Sequence, residues 1–514
     1  MKIAAATSGD WLTRIVIGKK AVAVNRLTSD IHFNRLLKYP ALHSMLTLSA
    51  LRLKILQSLE IDRAVFFAII GKIWSMCAGV ITVLLIVVFF SPELQGFYYT
   101  FNSVLAFQVF AELGLGTVLT YYASHEWAKL AFDGHGRMTG DADALSRLIS
   151  LGRFALRWYL AAGVATTLVL AVGGLYFFGV AEDRVPGWEA PWIVLCVVTG
   201  LNLCVVPIWA LMEGCNQVSS VYAYRLIQYV ASSVAAWIAI YLGAGLWVAS
   251  IIGVTGLLAM ILTVGRRYGG FVRTILLEHP KGPKLSWRVD ILPMQWRISL
   301  GWISGYFTFS WFTPVLFHYQ GSVVAGQMGM TCVFALGLAA VASSWVTPRA
   351  PRFGILIAQQ KYVELDRMLW RVTATVIAVT AVGALGIWTL VYVLGQLHHP
   401  FAHRLLPPAA TGYLLLATFF ASASLPMATY LRAHKKEPLL ALSVINGLLT
   451  GIAVVVLGKY YSADGVAIGY LAVVMTLTPF VALIWYRCRI EWHAPVAPPS
   501  YPREDNGNGP ALTK

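Results

Sequence analysis

The chain has 514 residues, of which 58% are hydrophobic and only 12% charged, with a mean hydropathy of +0.69. A soluble domain carries about 25% charge, so a soluble enzyme, a nucleic-acid-binding protein and a secreted disulfide scaffold are all excluded. The 39 Lys and Arg against 23 Asp and Glu leave a net charge of +16, and that excess sits in loops between apolar runs, where it needs no nucleic-acid partner. The sequence predicts an all-α polytopic membrane protein.

Residues 1–63 hold ten Lys and Arg against four acids and no apolar run long enough for a signal-peptide core. They read as a cytoplasmic basic extension. Leu48, Leu51, Ile55 and Leu59 recur at helical spacing beside Arg52 and Lys54, the pattern of an interfacial helix on anionic lipid. A loosely ordered segment before Met45, or translation starting at Met45, is the alternative.

Twelve apolar runs follow, each near the roughly 20 residues a membrane helix needs: 64–90, 97–123, 154–180, 191–212, 222–242, 247–265, 294–318, 326–348, 370–395, 409–431, 438–457 and 464–486. None alternates with period two, which excludes a membrane barrel. If the termini and even-numbered connections share one side, the other side holds only Arg184, Arg404 and Lys459 among the basic loop residues. The positive-inside rule then places both termini in the cytoplasm. The domains expected are an amino-terminal six-helix lobe over 64–265, a cytoplasmic linker over 266–293, a carboxy-terminal lobe over 294–486 and a disordered cytoplasmic tail over 487–514.

The two lobes echo one another at an offset near 220 residues. Glu112-Leu-Gly-Leu-Gly116 matches Ala335-Leu-Gly-Leu-Ala339, Leu145-Ser-Arg147 matches Leu365-Asp-Arg367, Pro207 matches Pro426, and Gly245 matches Gly465. Six plus six helices of the same sense make a parallel repeat, as in two-lobed transporters with a substrate path between the lobes. Pro207, Pro314, Pro426 and Pro479 predict kinks. Gly301-x-x-x-Gly305 and Gly447-x-x-x-Gly451 read as ordinary close-packing positions.

Ionisable residues inside spans are costly and mark function. Lys72 and Arg297 lie at corresponding places in spans one and seven, and two such cations facing a central cavity would attract a phosphate or carboxylate. The competing reading has both snorkelling to the headgroups. Glu112 lies deep in span two, as a proton-coupling carboxylate or as the ion-pair partner of Lys72. Glu213 and Arg225 read as an interface ion pair. His398, His399 and His403 lack the Cys or carboxylate company of a zinc site, and no P-loop is present, so neither metal nor cofactor is expected. The six cysteines, Cys77, Cys196, Cys204, Cys215, Cys332 and Cys488, show no paired spacing and read as free, mostly buried thiols.

Several segments carry a family resemblance: Ala111-Glu-Leu-Gly-Leu-Gly116 with Tyr121-Tyr-Ala-Ser-His-Glu126, Met212-Glu-Gly-Cys-Asn-Gln217, Pro293-Met-Gln-Trp-Arg297, Ala325-Gly-Gln-Met-Gly-Met330 and Arg432-Ala-His-Lys-Lys-Glu-Pro438. Over residues 60–490 the chain resembles the polysaccharide repeat-unit flippases of the MATE-like exporter superfamily. The resemblance implies a transporter rather than an enzyme, in a bacterial inner membrane, with two lobes working by alternating access. It would move an undecaprenyl-diphosphate-linked oligosaccharide to the outer leaflet for O-antigen, capsule or exopolysaccharide assembly, alongside a glycan polymerase and chain-length machinery. Arg297 and Lys72 would meet the diphosphate, and Gln295 and Gln327 would add polar lining to the cavity. The long amino-terminal extension departs from the family pattern. A cation-coupled multidrug exporter of the same fold is the alternative, although it would favour an acidic cavity. A glycan polymerase or ligase is weaker, because the longest outer connection, near 396–408, is only about a dozen residues.

Overall fold

A computed structural model describes residues 63–132, 138–181, 185–434 and 436–493. The expected interfacial helix near Leu48, the Met45 start and the tail beyond 493 lie outside the described residues. The chain divides into a unit Met1–Phe66, of which only the opening turn of the first helix is described, and a unit Phe67–Lys514, to which everything below belongs.

Helix α1 runs Arg63–Phe89. A bent span follows, made of α2 (Pro92–Leu105), a 3-10 turn, α3 (Val109–Glu112) and α4 (Leu115–Trp127). After it come α5 (Ala142–Gly179), α6 (Glu189–Gly214), α7 (Val218–Tyr241) and α8 (Trp247–Leu277). The second half comprises α9 (Leu292–Phe309), α10 (Phe312–Gln320), α11 (Ser322–Val346), the short α12 (Ala350–Ala358), α13 (Tyr362–Gln396), α14 (Pro408–Ala433) and α15 (Leu440–His493). Among the described residues nine helices are long and apolar enough to cross a membrane, or ten with the bent α2–α4 pair taken as one span. Helix α15 breaks at Tyr461 and Ser462, and α9 gives way to α10 at Ser310–Trp311. The segments are therefore compatible with the twelve expected spans. This is a multi-pass membrane protein.

The breaks have local causes. Leu113 and Gly114 both take left-handed backbone, with φ of 49° and 64°, and the span bends by 45° there. A Cβ on Gly114 would also collide with the Ile298 side chain, so both conformation and space demand glycine. Pro314 has no N–H to bond the Ser310 carbonyl, which accounts for the α9–α10 break. Pro207 and Pro426 lie buried inside α6 and α14, at matching places in the two halves.

Several helices run well past the apolar limits set by sequence. Helix α5 starts twelve residues before the expected 154, because the Asp141 carboxylate accepts the Ala144 N–H at 2.8 Å and caps it. Helix α13 likewise starts at Tyr362 rather than 370. The face bearing these extensions is called the basic face here, and its opposite the sparse face. The all-α expectation holds except for a small antiparallel hairpin on the basic face, β1 (Leu130–Phe132) with β2 (Met138–Gly140).

Packing differs between the two faces. Toward the sparse face one apolar core joins both halves, with Phe97, Phe101, Phe178 and Trp192 of the first half against Phe312, Leu316 and Phe317 of the second. Toward the basic face the cores are separate. One is built from first-half residues such as Leu119, Tyr159, Met212 and Phe271, with Met294 and Ile298 of α9 packed against it, the other from Phe353, Leu365, Tyr430 and Trp485. The halves share one core at one end; at the other, α9 alone of the second half joins the first-half core.

Candidate functional site

At the sparse face α2 and α11 approach backbone to backbone. A Cβ on Gly96 would strike the Ser322 carbonyl, and one on Gly326 would stand 2.9 Å from the Gly96 nitrogen. Buried Gln95 donates its amide to the carbonyls of Gly326 (2.9 Å) and Arg404 (3.0 Å). Arg404, from the α13–α14 connection, donates in turn to the carbonyls of Val87 and Phe90 at the end of α1. Gln327, expected as cavity lining, donates to the His403 carbonyl at 3.0 Å and so belongs to this seal.

Nearer the basic face the contacts between halves thin out. Lys72 of α1 is exposed, and among the described residues its Nζ reaches only the Ser343 hydroxyl of α11, at 3.5 Å. Arg297 of α9 is exposed and makes no ion pair among the described residues; its guanidinium stands 5.5 Å from the Trp296 ring centroid. One turn and two turns further along α9, Gly301 and Gly305 have no neighbour within 4 Å of a would-be Cβ, and the same holds for Gly79 of α1 and Gly337 of α11. The expectation that Gly301 and Gly305 pack closely is corrected: among the described residues, nothing lies within 4 Å of a Cβ on either. Gly447 and Gly451 do pack as expected, against Ser304 and Phe307 of α9.

Gln295 is buried, and its side-chain oxygen accepts the Trp287 indole N–H at 2.9 Å. Trp287, in the linker, lies against Trp158, whose own N–H donates to the Ala111 carbonyl. Gln295 thus ties the linker to α9, and Trp287 in turn packs on the first half, instead of Gln295 lining open space. Ser299 fastens α9 to the bend by donating to the Leu113 carbonyl at 2.8 Å.

Glu112 closes the helix just before that bend. It forms no ion pair with Lys72. Its Oε1 and the buried Tyr159 hydroxyl flank Gly116, at 3.2 and 3.6 Å from a would-be Cβ. The Tyr159 hydroxyl and the Glu112 carboxyl are thus close electrostatic neighbours. From Glu112 a cleft of about 500 Å³ runs between α4 and α6 to Glu213 and Arg225. Those two form the expected ion pair, at 2.8 Å. All six cysteines are free, as expected, though Cys77 is exposed and only Cys196 and Cys215 are fully buried.

No family model matches the chain, and no curated protein matches it in sequence. Solved structures do. An inward-facing multidrug-resistance MATE family transporter of the MOP superfamily superposes with a TM-score of 0.62 at 12% identity, over 82% of this chain and 95% of that one. The chain has the MATE-like exporter fold. The MATE multidrug transporter DinF-BH aligns with a TM-score of 0.54 at 13% identity, covering 85% and 96% of the two chains. The lipid II flippase MurJ, in an inward closed conformation, aligns at 0.53 and 13% identity, covering 83% and 90%. All three are transporters, and they share with this chain the fold alone.

Within the MATE-like fold, three residues carry contacts that the sequence reading missed. Arg404 was only a stray charge on the sparse face, Tyr159 an aromatic in an apolar run, and Trp287 a linker residue. Nothing in local sequence marks them, because Arg404 reaches Phe90, Tyr159 neighbours Glu112 and Trp287 stacks on Trp158, each across more than 40 positions.

Proposed function

We propose that this protein is a flippase that moves an undecaprenyl-diphosphate-linked oligosaccharide from the cytoplasmic to the outer leaflet by alternating access. The basic face is the cytoplasmic one, both termini lie there, and the membrane is the bacterial inner membrane. The observation that supports the reading best is the thinning of the contacts between the cores, with two cations there, Lys72 and Arg297, that pair with no carboxylate among the described residues. A cation that pairs with no carboxylate in a membrane segment is available to an anionic ligand. MurJ, a lipid II flippase, shares the fold. A multidrug exporter of that fold would present carboxylates to cationic drugs, whereas Glu112 here turns into a cleft of the first half.

On this reading the lobes are residues 64–265 and 294–486, joined by the linker 266–293. Lys72 and Arg297 meet the diphosphate, and Glu112 with the Tyr159 hydroxyl carries a coupling proton along the cleft toward Glu213. A glycan polymerase and chain-length machinery for O-antigen or capsule would consume the product.

Complementation of a strain that lacks its own repeat-unit flippase tests this, with surface glycan read on a gel at matched membrane abundance. Wild type restores the glycan and Arg297→Ala does not. Restoration by both removes Arg297 from the site. Failure of both, together with drug resistance conferred by wild type, replaces the flippase with a drug exporter.

A further inference from the structure

A concentration of positive charge lies away from the divided interface, at the basic-face edge of the second half. Here α11 ends and the chain turns through the short helix α12 into α13. Arg349 and Arg352 come from the start of α12, Lys361 from the turn, and Arg367 and Arg371 from the first turns of α13. The spacing of Glu364, Arg367, Arg371 and Thr375 puts them on one face of α13, turned toward α12, and together these groups wall a cleft of about 680 Å³.

Five cations share that cleft with a single carboxylate. Glu364 is already engaged, at 3.4 Å from Arg352. Asp366, next to Arg367 in sequence, is consumed elsewhere: Arg489 holds it at 2.6 Å, and the Tyr430 hydroxyl donates to it at 3.1 Å. Among the described residues, the cleft therefore has four positive charges with no protein counter-ion. Like charges so gathered repel unless an anion joins them. Three of the four excess groups at least are guanidinium ions, whose planar forks suit phosphate oxygens in pairs.

The setting identifies how the phosphate arrives. Exposed Trp345 and Trp370 flank the cleft, and the Arg349 guanidinium lies 5.7 Å from the Trp345 ring centroid. Exposed tryptophan on a membrane helix marks the headgroup level, and basic pockets at that level take anionic lipid. We propose that the α12–α13 cleft is a binding site for the phosphate headgroup of an anionic membrane lipid, separate from the path between the lobes. The site does not depend on the flippase reading.

The full-length protein is placed in nanodiscs of phosphatidylcholine with or without phosphatidylglycerol, and lipid retention is read by native mass spectrometry alongside the melting temperature. Inorganic diphosphate in detergent is the soluble probe. Phosphatidylglycerol is expected to raise the melting temperature and to be retained. Arg367→Gln with Arg371→Gln should weaken retention at least about tenfold, the factor that 1.4 kcal/mol carries, while Arg367→Lys with Arg371→Lys recovers part of it. Lys281→Gln with Lys284→Gln, on the linker of the same face, should leave it unchanged. Stabilisation by diphosphate alone, lost in the double glutamine variant, would assign the site to a soluble phosphate and overturn the lipid source. Equal loss in the linker variant, or equal retention in all variants, would reduce the cleft to diffuse surface charge. The lysine variant keeps the test meaningful if the glutamine pair misfolds.

Discussion

The two ends of the interface between the halves use the same residue for opposite purposes. At the sparse face, Gly96 and Gly326 remove side chains so that α2 and α11 touch backbone to backbone; near the basic face, Gly79, Gly301, Gly305 and Gly337 border open space. The first end shares one core with buried amide and guanidinium links, and the second has two cores, joined by the Ser299–Leu113 hydrogen bond and the long Lys72–Ser343 contact. A two-lobed carrier needs such an asymmetry, with one end stable enough to seal and the other unencumbered. Glycine in a helix therefore tells little until its neighbours are known.

The sharpest way to break this contrast is Gly96→Ala. The new methyl meets the Ser322 carbonyl, so α2 and α11 must separate, and overpacking of this kind costs about 1–3 kcal/mol. The expected result is a large drop in melting temperature and loss of complementation at matched abundance. Next in size is Arg404→Ala, which frees the carbonyls of Val87 and Phe90 and unfastens the loop that Gln95 holds. Hydrogen bonds to a charged group contribute about 1.5–3 kcal/mol each at most. Because the loss falls on the sealed end, a cysteine placed at buried Thr331 should react faster with a membrane-impermeant thiol reagent in the Arg404→Ala background. An unchanged rate would show that the glycine contact seals alone.

How legible this was in sequence follows from the range over which each residue acts. The apolar runs gave nearly every helix, since span length is set by the membrane, and Glu213–Arg225 was readable because its members lie one short loop apart. Helix ends failed where charge was taken for a boundary: Asp141 and Glu364 begin helices rather than end them. The bend at Leu113–Gly114 was hidden inside a motif whose echo, Ala335–Ala339, is continuous helix. For the candidate site, Lys72 and Arg297 were recognisable as costly charges, but Gln295 and Gln327 found structural partners 8 and 76 positions away. The α12–α13 arginines were counted as loop charge only, because their convergence depends on a short helix folding back.

A smaller effect sharpens the comparison at the basic end of the second half. His434, just beyond α14, has its pKa pulled below the ordinary histidine value, by burial first and by the Lys436 charge, against the bond to the Tyr430 carbonyl. Its Nε2 lies 3.2 Å from that of His493, which also approaches the Tyr430 hydroxyl and stacks on Tyr362. A depressed value means the neutral ring is favoured in the folded state. Stability from this cluster is then complete above the unfolded histidine pKa, near 6.5, and is lost as pH falls through and below it. Wild type should show a melting temperature that declines from about pH 6.5 downward, and His434→Phe should flatten that decline. Gly96 and Arg404 lie at the far face and should not alter its slope.

The smallest effect is expected at the open wall, and it has the opposite sign from the first. Gly301→Ala adds the same methyl as Gly96→Ala, but with nothing within 4 Å to strike. Alanine in a helix interior is favoured over glycine by about 1 kcal/mol at most, so the melting temperature should stay level or rise slightly. Complementation should survive too, since the methyl meets no neighbour. Gly337→Ala on α11 should behave alike. If Gly301→Ala were instead as damaging as Gly96→Ala, then α9 would meet a partner helix during the cycle. The open wall would then be the closing surface of the opposite state, and Gly301-x-x-x-Gly305 would be its contact motif. Complementation and melting temperature measured on the same two variants separate these outcomes, because a contact made only in the opposite state harms transport without harming the resting fold.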